Sequence, residues 1–308
     1  MERITDGAAL STELRGGIVA LGNFDGFHRG HQAVVGRALD VAGRQRRPAL
    51  VATFDPHPAR LFKPELPPFA LTTVTQRLAL FEVFGMDASI VIPFSHDLAA
   101  LSAEAFVTEW LVGRMGVAGV VTGGDFTFGK GRSGDTATLA DFGRKHGFSA
   151  EVVAPVADAR GTISSSRVRH CLRTGDPHGA ATLLTRPFTI RSIVEHGAKL
   201  GRQLGFPTAN LRLGDYQRPA YGVYAVMVRL RSGAVVPGVA NIGIRPMIVP
   251  AVELLEVWLL NWEGDLYSQD IAVELRHYLR PEAKFDGLEA LKLQVYADAD
   301  AARAALSR

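Results

Sequence analysis

The sequence predicts an α/β domain followed by a small antiparallel β-barrel that carries a C-terminal helix. Apolar strand-like runs alternate with helical spacing as far as residue 184. Beyond Arg186-Pro187 the apolar period becomes two, and no helix interrupts it until the end of the chain. A chain of 308 residues is also longer than one core usually grows, so two domains are the default. The expected division is residues 1–185 and 186–308.

Ile18, Val19, Ala20 and Leu21 read as a short buried strand, and residues 32–44 carry Val34, Ala38 and Val41 at helical spacing. The intervening stretch contains Gly22, Phe24, Asp25, Gly26, His28, Gly30 and His31. Its glycines permit a tight turn and close backbone approach. His28 and His31 stand three residues apart where the helix starts, and the free amides of a helix start favour an anion such as a nucleotide phosphate. Two other uses of the pair stay open: a zinc site, although no Glu between them and no cysteine cluster completes one, and plain structural hydrogen bonding.

Residues 48–55 read as the second strand and lead into Thr53-Phe54-Asp55-Pro56-His57-Pro58. Proline on both sides of His57 predicts a rigid loop there, and loops at strand ends are where open α/β sheets bind ligands. Residues 73–85 have helical spacing in Leu78, Leu80, Phe81 and Phe84. A strand at 88–94, a helix at 103–115 and strands at 118–122 and 151–156 follow. This alternation predicts a parallel sheet covered on both faces.

The glycine-rich loop 123–135, which includes Asp125 and Phe128, nearly matches a Walker A loop. Gly131, however, stands where a Ser or Thr should hold magnesium, so a P-loop ATPase is rejected. Ile163-Ser164-Ser165-Ser166-Arg167 places three hydroxyls before an arginine at a helix start. That suits a phosphate grip, with an ordinary serine N-cap as the alternative.

In the second half, strand-like runs at 188–194, 221–229, 234–241, 254–262 and 271–279 are separated by glycine and charged turns. They predict the barrel, against which a helix at 287–305 would pack. Gly201-Arg202 and then Gly205-Phe206-Pro207-Thr208-Ala209-Asn210 form a glycine-bearing loop with two short oxygen-bearing side chains. Thr208 and Asn210 suit magnesium with its phosphates. Glu256 is set among Leu254, Trp258 and Leu260, where a carboxylate has a charged partner such as Arg245 or Arg280, or a task.

Composition narrows the classes. Hydrophobic residues make up 47% of the chain, which fits a folded domain protein, and 34 basic against 31 acidic residues are too balanced to argue for nucleic acid. The single cysteine, Cys171, cannot form an internal disulfide, which fits a reducing compartment. Neither a signal peptide nor an uninterrupted apolar run of about 18 residues is seen, so the expected location is cytoplasmic.

Residues 22–31 resemble the G-x-F-D-x-x-H-x-G-H signature of the HxGH nucleotidyltransferases, a Rossmann-like family. Across both halves the chain resembles the bacterial bifunctional riboflavin kinase/FMN adenylyltransferase family, also called FAD synthetases. The resemblance rests further on the T-F-x-P-H-P loop, G-x-D-F-x-F-G-x-G-x-x-G-D at 123–135, I-S-S-S-x-V-R at 163–169 and G-x-P-T-A-N at 205–210. It implies an adenylyltransferase domain and a riboflavin kinase barrel that together convert riboflavin to FMN and FMN to FAD. ATP and flavin are then substrates, magnesium the cofactor, and small molecules the partners, with no nucleic acid, no membrane and at most weak self-association.

The resemblance implies roles for His28, His31, Ser164 and Arg167 in adenylyl transfer and for Glu256 as base of the kinase. It places Gly22, Phe24, Asp25, His57, Asp125 and Phe128 about the nucleotide or flavin, and Gly201, Arg202, Thr208 and Asn210 about Mg-ATP. The chain departs from the family pattern at Thr127, Ser192, Met247, Trp258 and Ser268. An adenylyltransferase carrying an inactive, flavin-binding regulatory barrel is the alternative, and transfer to a different phosphate acceptor is a second.

Overall fold

In the computed structural model, residues 1–5, 7–196, 205–245 and 252–307 are described. They form two compact units, one of Met1–Pro67 and Thr72–Ser164, the other of Pro68–Leu71 and Ser165–Arg308.

The first unit is built on six strands: β1 (Glu2–Ile4), β2 (Ile18–Leu21), β3 (Ala49–Asp55), β4 (Ala88–Pro93), β5 (Gly119–Gly123) and β6 (Ser149–Val153). They lie in the order β1-β4-β3-β2-β5-β6, and every pairing is parallel. Strand side chains alternate between faces, so both faces of this sheet are apolar. Val19, Leu21, Leu50, Ala52 and Ile90 join one buried cluster, while Ile18, Ala20, Val51, Val91 and Val121 join the other.

The second cluster is covered by α1 (Arg29–Gln45), through Val34, Val35, Ala38 and Val41, and by α3 (Val74–Val83). Thr73 starts α3 with a capping box: its hydroxyl accepts from the Gln76 amide, and the Gln76 side chain accepts from the Thr73 amide. The first cluster is covered by α5 (Ala103–Phe106), which runs on as a π-helical stretch, Val107–Arg114. Short helices α2 (Pro58–Phe62) and α4 (His96–Ala100), then α6 (Thr136–His146), complete the layers.

Several details differ from expectation. β1 pairs through its backbone at the sheet edge although Glu2 and Arg3 are exposed and show no apolar alternation. His57 does not sit in a plain loop, because it N-caps α2 with Pro58 in the first turn. A two-residue hairpin, β7 (Ala157–Asp158) with β8 (Gly161–Thr162), precedes the serines.

The second unit opens with α7 (Ser165–Arg173) and α8 (Pro177–Leu184) and continues into an antiparallel sheet. Its strands are β9 (Phe188–Ile193), β10 (Ala209–Arg212), β11 (Gly222–Arg229), β12 (Val235–Arg245), β13 (Val252–Leu259) and β14 (Asp270–Arg280). The order is β10-β13-β12-β11-β14-β9. The Glu195 amide donates to the Asn210 carbonyl at 2.8 Å, joining the two ends into a nearly closed barrel. Helix α9 (Leu288–Leu306) lays Ala299 and Ala302 on Val223, Ala225 and Val239. Its buried Asp298 takes both ends of the Arg280 guanidinium, at 2.8 and 2.6 Å.

At the edge of the barrel the Tyr221 hydroxyl donates to Glu253, which also accepts from Arg218 Nε at 2.6 Å. Burial, followed by the Glu253 carboxylate, pushes the Tyr221 phenol up to about 12 from an ordinary value of 10.0. A phenol whose folded value is raised contributes stability that is present below its unfolded value and lost as pH climbs through the folded one. The thermal midpoint should therefore fall between about pH 10 and 12, and Tyr221→Phe should flatten that fall. Melting curves across this range check it, and an unchanged slope in the variant would count against the assignment.

Candidate functional site

The strand order of the first sheet reverses between β2 and β5, and such a switch point opens a crevice at the carboxyl ends of the strands. Both informative loops emerge there: residues 22–28 follow β2, and residues 124–135 follow β5. Helix α1 starts at the first of these. His28, 5% exposed, is its N-cap, and its Nδ1 accepts from the His31 amide at 3.4 Å. The two imidazoles stack with centroids 3.7 Å apart and 20° between planes. With Nδ1 accepting, the neutral His28 ring carries its proton on Nε2 and can present it as a donor.

The turn is held from beneath. Phe24 and Phe27 adopt left-handed backbone, with φ of 50° and 44°, which costs on the order of 1–3 kcal/mol each. Both are buried and pack edge-on against Phe81, at 5.7 and 5.2 Å, while Phe24 also meets His31 at 5.4 Å. Asp25 is buried as well, and its Oδ1 accepts from the Thr72 amide at 3.0 Å and the Thr72 hydroxyl at 3.3 Å. Gly22 donates its amide to Ala52 on β3. Gly30 is tightly enclosed: a Cβ there would stand 3.1 Å from the His28 ring and 3.3 Å from the Ile163 carbonyl, so a neighbour would have to give by a few tenths of an ångström. This contact brings the residue before Ser164 against the His-x-Gly-His turn.

The other predicted residues of this unit are placed as follows. His57 Nδ1 accepts from the Ala59 amide at 3.1 Å. Asp125 is exposed and folds back on Gly123, where a Cβ would lie 3.2 Å from its carboxylate and 3.9 Å from Val34 of α1. Phe128 is buried against Phe106 and Phe126, each at 5.7 Å, so it shapes the loop from within. The loop pairs Phe128 with Gly134 and reaches Asp135, the N-cap of α6, without the strand-to-helix turn of a P-loop. Ser164 is half-buried, and Arg167 lies half-buried on α7 in the second unit. Arg77, which the sequence reading passed over, lies buried under the turn.

In the second unit the residues expected as a loop at 208–210 lead directly into strand β10. Register aligns Asn210 with Glu256 on β13 and Glu256 with Asn241 on β12. Three polar side chains therefore share one row on one face of the barrel wall. Asn241 Nδ2 donates to Glu282 Oε1 at 3.2 Å. Arg280 is engaged by Asp298, which argues against it as the partner of Glu256, and the Arg245 side chain lies outside the described residues. So do Gly201, Arg202 and Met247.

Thr208 lines a cavity of about 190 Å³ together with Val194, Leu259, Trp262 and Tyr267. Trp258 is not among its lining residues; the indole packs against Phe206 at 6.0 Å and Tyr296 of α9 at 5.7 Å. Ser268 holds a φ of 62°, the conformation in which glycine is unstrained, so this departure is accommodated at a local cost. Ser192 is an ordinary half-buried residue of β9.

Among the described residues no group of three or more His, Cys, Asp and Glu side chains could hold a metal, and this includes the histidine pair read as an alternative zinc site. The side-chain oxygens of Thr208 and Asn210 are hard donors, the type that suits magnesium shared with phosphates. No described helix is long and apolar enough to cross a membrane.

Comparison with known proteins separates the halves in the same order. The FAD synthetase family model matches residues 10–167, and the riboflavin kinase family model matches residues 184–306. A bifunctional riboflavin kinase/FMN adenylyltransferase of Pseudomonas fluorescens is 42% identical over 296 residues, covering 96% of this chain and 94% of the relative. The chain belongs to the bifunctional riboflavin kinase/FMN adenylyltransferase family. The Escherichia coli K12 member is 39% identical over 94% of this chain and 92% of its own length. A crystal structure from Streptococcus pneumoniae described as a macrolide-efflux protein is 28% identical, with a TM-score of 0.88 over 98% of this chain and 99% of that one.

The crowding at Gly30 is directly testable. Gly30→Ala should displace the His28 ring and cost roughly 1–2 kcal/mol, the usual scale of overpacking. Imidazole proton shifts of His28 and His31 report the displacement, and ring signals unchanged from the parent chain would show that the gap absorbs a methyl group.

Proposed function

We propose that this chain converts riboflavin to FAD in two ATP-dependent steps, with residues 1–185 performing adenylyl transfer and residues 186–308 performing phosphorylation. The observation that carries the proposal is the ordered match of an FAD synthetase and a riboflavin kinase family model to the two halves. Their bounds, 10–167 and 184–306, support a division near residue 186.

In adenylyl transfer a phosphate oxygen of FMN forms a bond to the α-phosphorus of ATP. The bond from that phosphorus to the bridging oxygen breaks, and its electron pair leaves with pyrophosphate. No protein nucleophile is required, so catalysis is positioning and charge neutralisation. His28, His31 and the amides at the start of α1 are suited to the phosphate oxygens, and the Ser164 hydroxyl and Arg167 guanidinium are of the types that bind phosphate. Gly22, Phe24, Asp25 and Phe128 act by shaping the pocket, while His57 and the exposed Asp125 would lie against the nucleotide or flavin.

In phosphorylation the riboflavin 5′-hydroxyl attacks the γ-phosphorus, its proton passes to Glu256, and ADP leaves. Thr208 and Asn210 would hold magnesium with the ATP phosphates, where the ion supplies charge neutralisation, and Gly201 and Arg202, outside the described residues, would bind the nucleotide. The alignment of Asn210 beside Glu256 supports bringing base and phosphates together. Trp258 is compatible with an active kinase because its indole is taken up by Phe206 and Tyr296. The partners are small molecules, self-association is at most weak, and the setting is the cytoplasm.

A chromatographic time course started from riboflavin, and another from FMN, tests the whole reading. FMN followed by FAD is expected; FAD from FMN with nothing from riboflavin would refute the kinase half and leave the barrel as a binding module. Replacing both His28 and His31 by Ala should lower FAD formation by at least about 100-fold and leave FMN formation within about twofold. Glu256→Gln should lower riboflavin phosphorylation by about 100-fold while FAD formation from supplied FMN persists. A kinase rate unaffected by that change would remove Glu256 as the base.

A further inference from the structure

Arg77 sits on α3 with 4% of its surface exposed, on the inward face it shares with Leu78 and Phe81. One guanidinium nitrogen, Nη1, donates to the Asn23 carbonyl at 2.6 Å and to the Thr53 hydroxyl at 2.8 Å. The Thr53 hydroxyl in turn donates to the same Asn23 carbonyl at 2.9 Å. Burial pushes the guanidinium below its ordinary value, and the charges of Asp25 and Asp55 oppose that shift. Among the described residues Arg77 forms no ion pair with a carboxylate, and its Nε has no hydrogen-bond partner.

A buried arginine is an expensive way to fill space, since an apolar side chain of similar volume avoids the desolvation cost. The two acceptors indicate what the charge is for. Asn23 follows Gly22 in the turn that presents His28 and His31, and Thr53 lies on the strand that leads to His57. The Asn23 carbonyl receives two donors at once, which fixes the orientation of the peptide joining residues 23 and 24. That peptide enters Phe24, the first of the two left-handed residues on which the turn depends.

We infer that Arg77 is a positioning residue for adenylyl transfer, holding the Asn23 peptide, and through it the His28–His31 turn, in register with the strand that carries Thr53. It acts through these partners rather than on the substrate. Catalytic groups displaced by a fraction of an ångström lose rate, so the effect belongs in kcat more than in KM.

The inference rests on the adenylyltransferase reading of the first unit, and the full-length chain tests the two separately. Unaltered protein that makes no FAD from FMN would sink that reading first. Given FAD synthesis, Arg77→Met should lower its kcat by about 30-fold with KM for ATP changed less than about threefold, and Arg77→Lys should recover most of the loss. Riboflavin phosphorylation by the same molecules gauges whether the rest of the chain is intact and should stay within about twofold.

Thr53→Val, which removes the hydroxyl with little change of shape, should lower kcat about fivefold and add little to Arg77→Met, because both changes act on one carbonyl. It carries the test if Arg77→Met does not fold. An Arg77→Met kcat within about twofold of the parent overturns the inference, as does a loss in Thr53→Val that tracks an equal fall in thermal midpoint and kinase rate.

Discussion

A helix that is to receive an anion at its start must leave amides free there, so whatever holds that start has to grip from another side. Apart from the His28 cap on the His31 amide, the first unit meets this constraint from underneath. Phe24 and Phe27 wedge against Phe81, Asp25 takes the amide and hydroxyl of Thr72, and Arg77 takes the Asn23 carbonyl. Each of these groups is buried or packed beneath the turn that carries the histidines. The parallel sheet supplies the switch point, and α3 supplies most of the side chains that secure the turn above it.

The barrel solves a different problem by register alone. Asn210, Glu256 and Asn241 come from three strands, and backbone pairing aligns them. A carboxylate placed this way keeps its position as long as the sheet does. It also explains how the family pattern can be broken at Trp258 without moving Glu256. Two residues along the same strand, the larger side chain finds its room against Phe206 and Tyr296 rather than in the row of polar groups.

Much of this was legible in the sequence because apolar periodicity reports directly on burial. The buried strands β2 to β5, helices α1 and α3, and the change to period two after Arg186 all carry that signal. Elements that pair through backbone alone do not, and β1, with exposed Glu2 and Arg3, is one. The strand at Ala209–Arg212 is too short, and too close to Pro207, for alternation to separate it from the loop before it.

Motif chemistry was visible as residue types at fixed spacing, yet it did not distinguish residues that face the crevice from those that brace it. Phe24, Asp25 and Phe128 belong to the bracing set by burial. Arg77 left one trace: it precedes Phe81 by four residues, a charge in the middle of an apolar stripe.

The division of the chain also has a consequence for how it comes off the ribosome. Pro68–Leu71 groups with the second unit although both flanks of that tetrapeptide belong to the first. Ala70 accepts from the Gln217 amide and donates to the Asp215 carbonyl, and the Arg169 guanidinium reaches the Phe69 carbonyl. These partners are made about a hundred or more residues later in synthesis. No single scission of the polypeptide therefore yields two pieces that each keep all of their own contacts, and gene fission between the activities would strand this tetrapeptide on the wrong product.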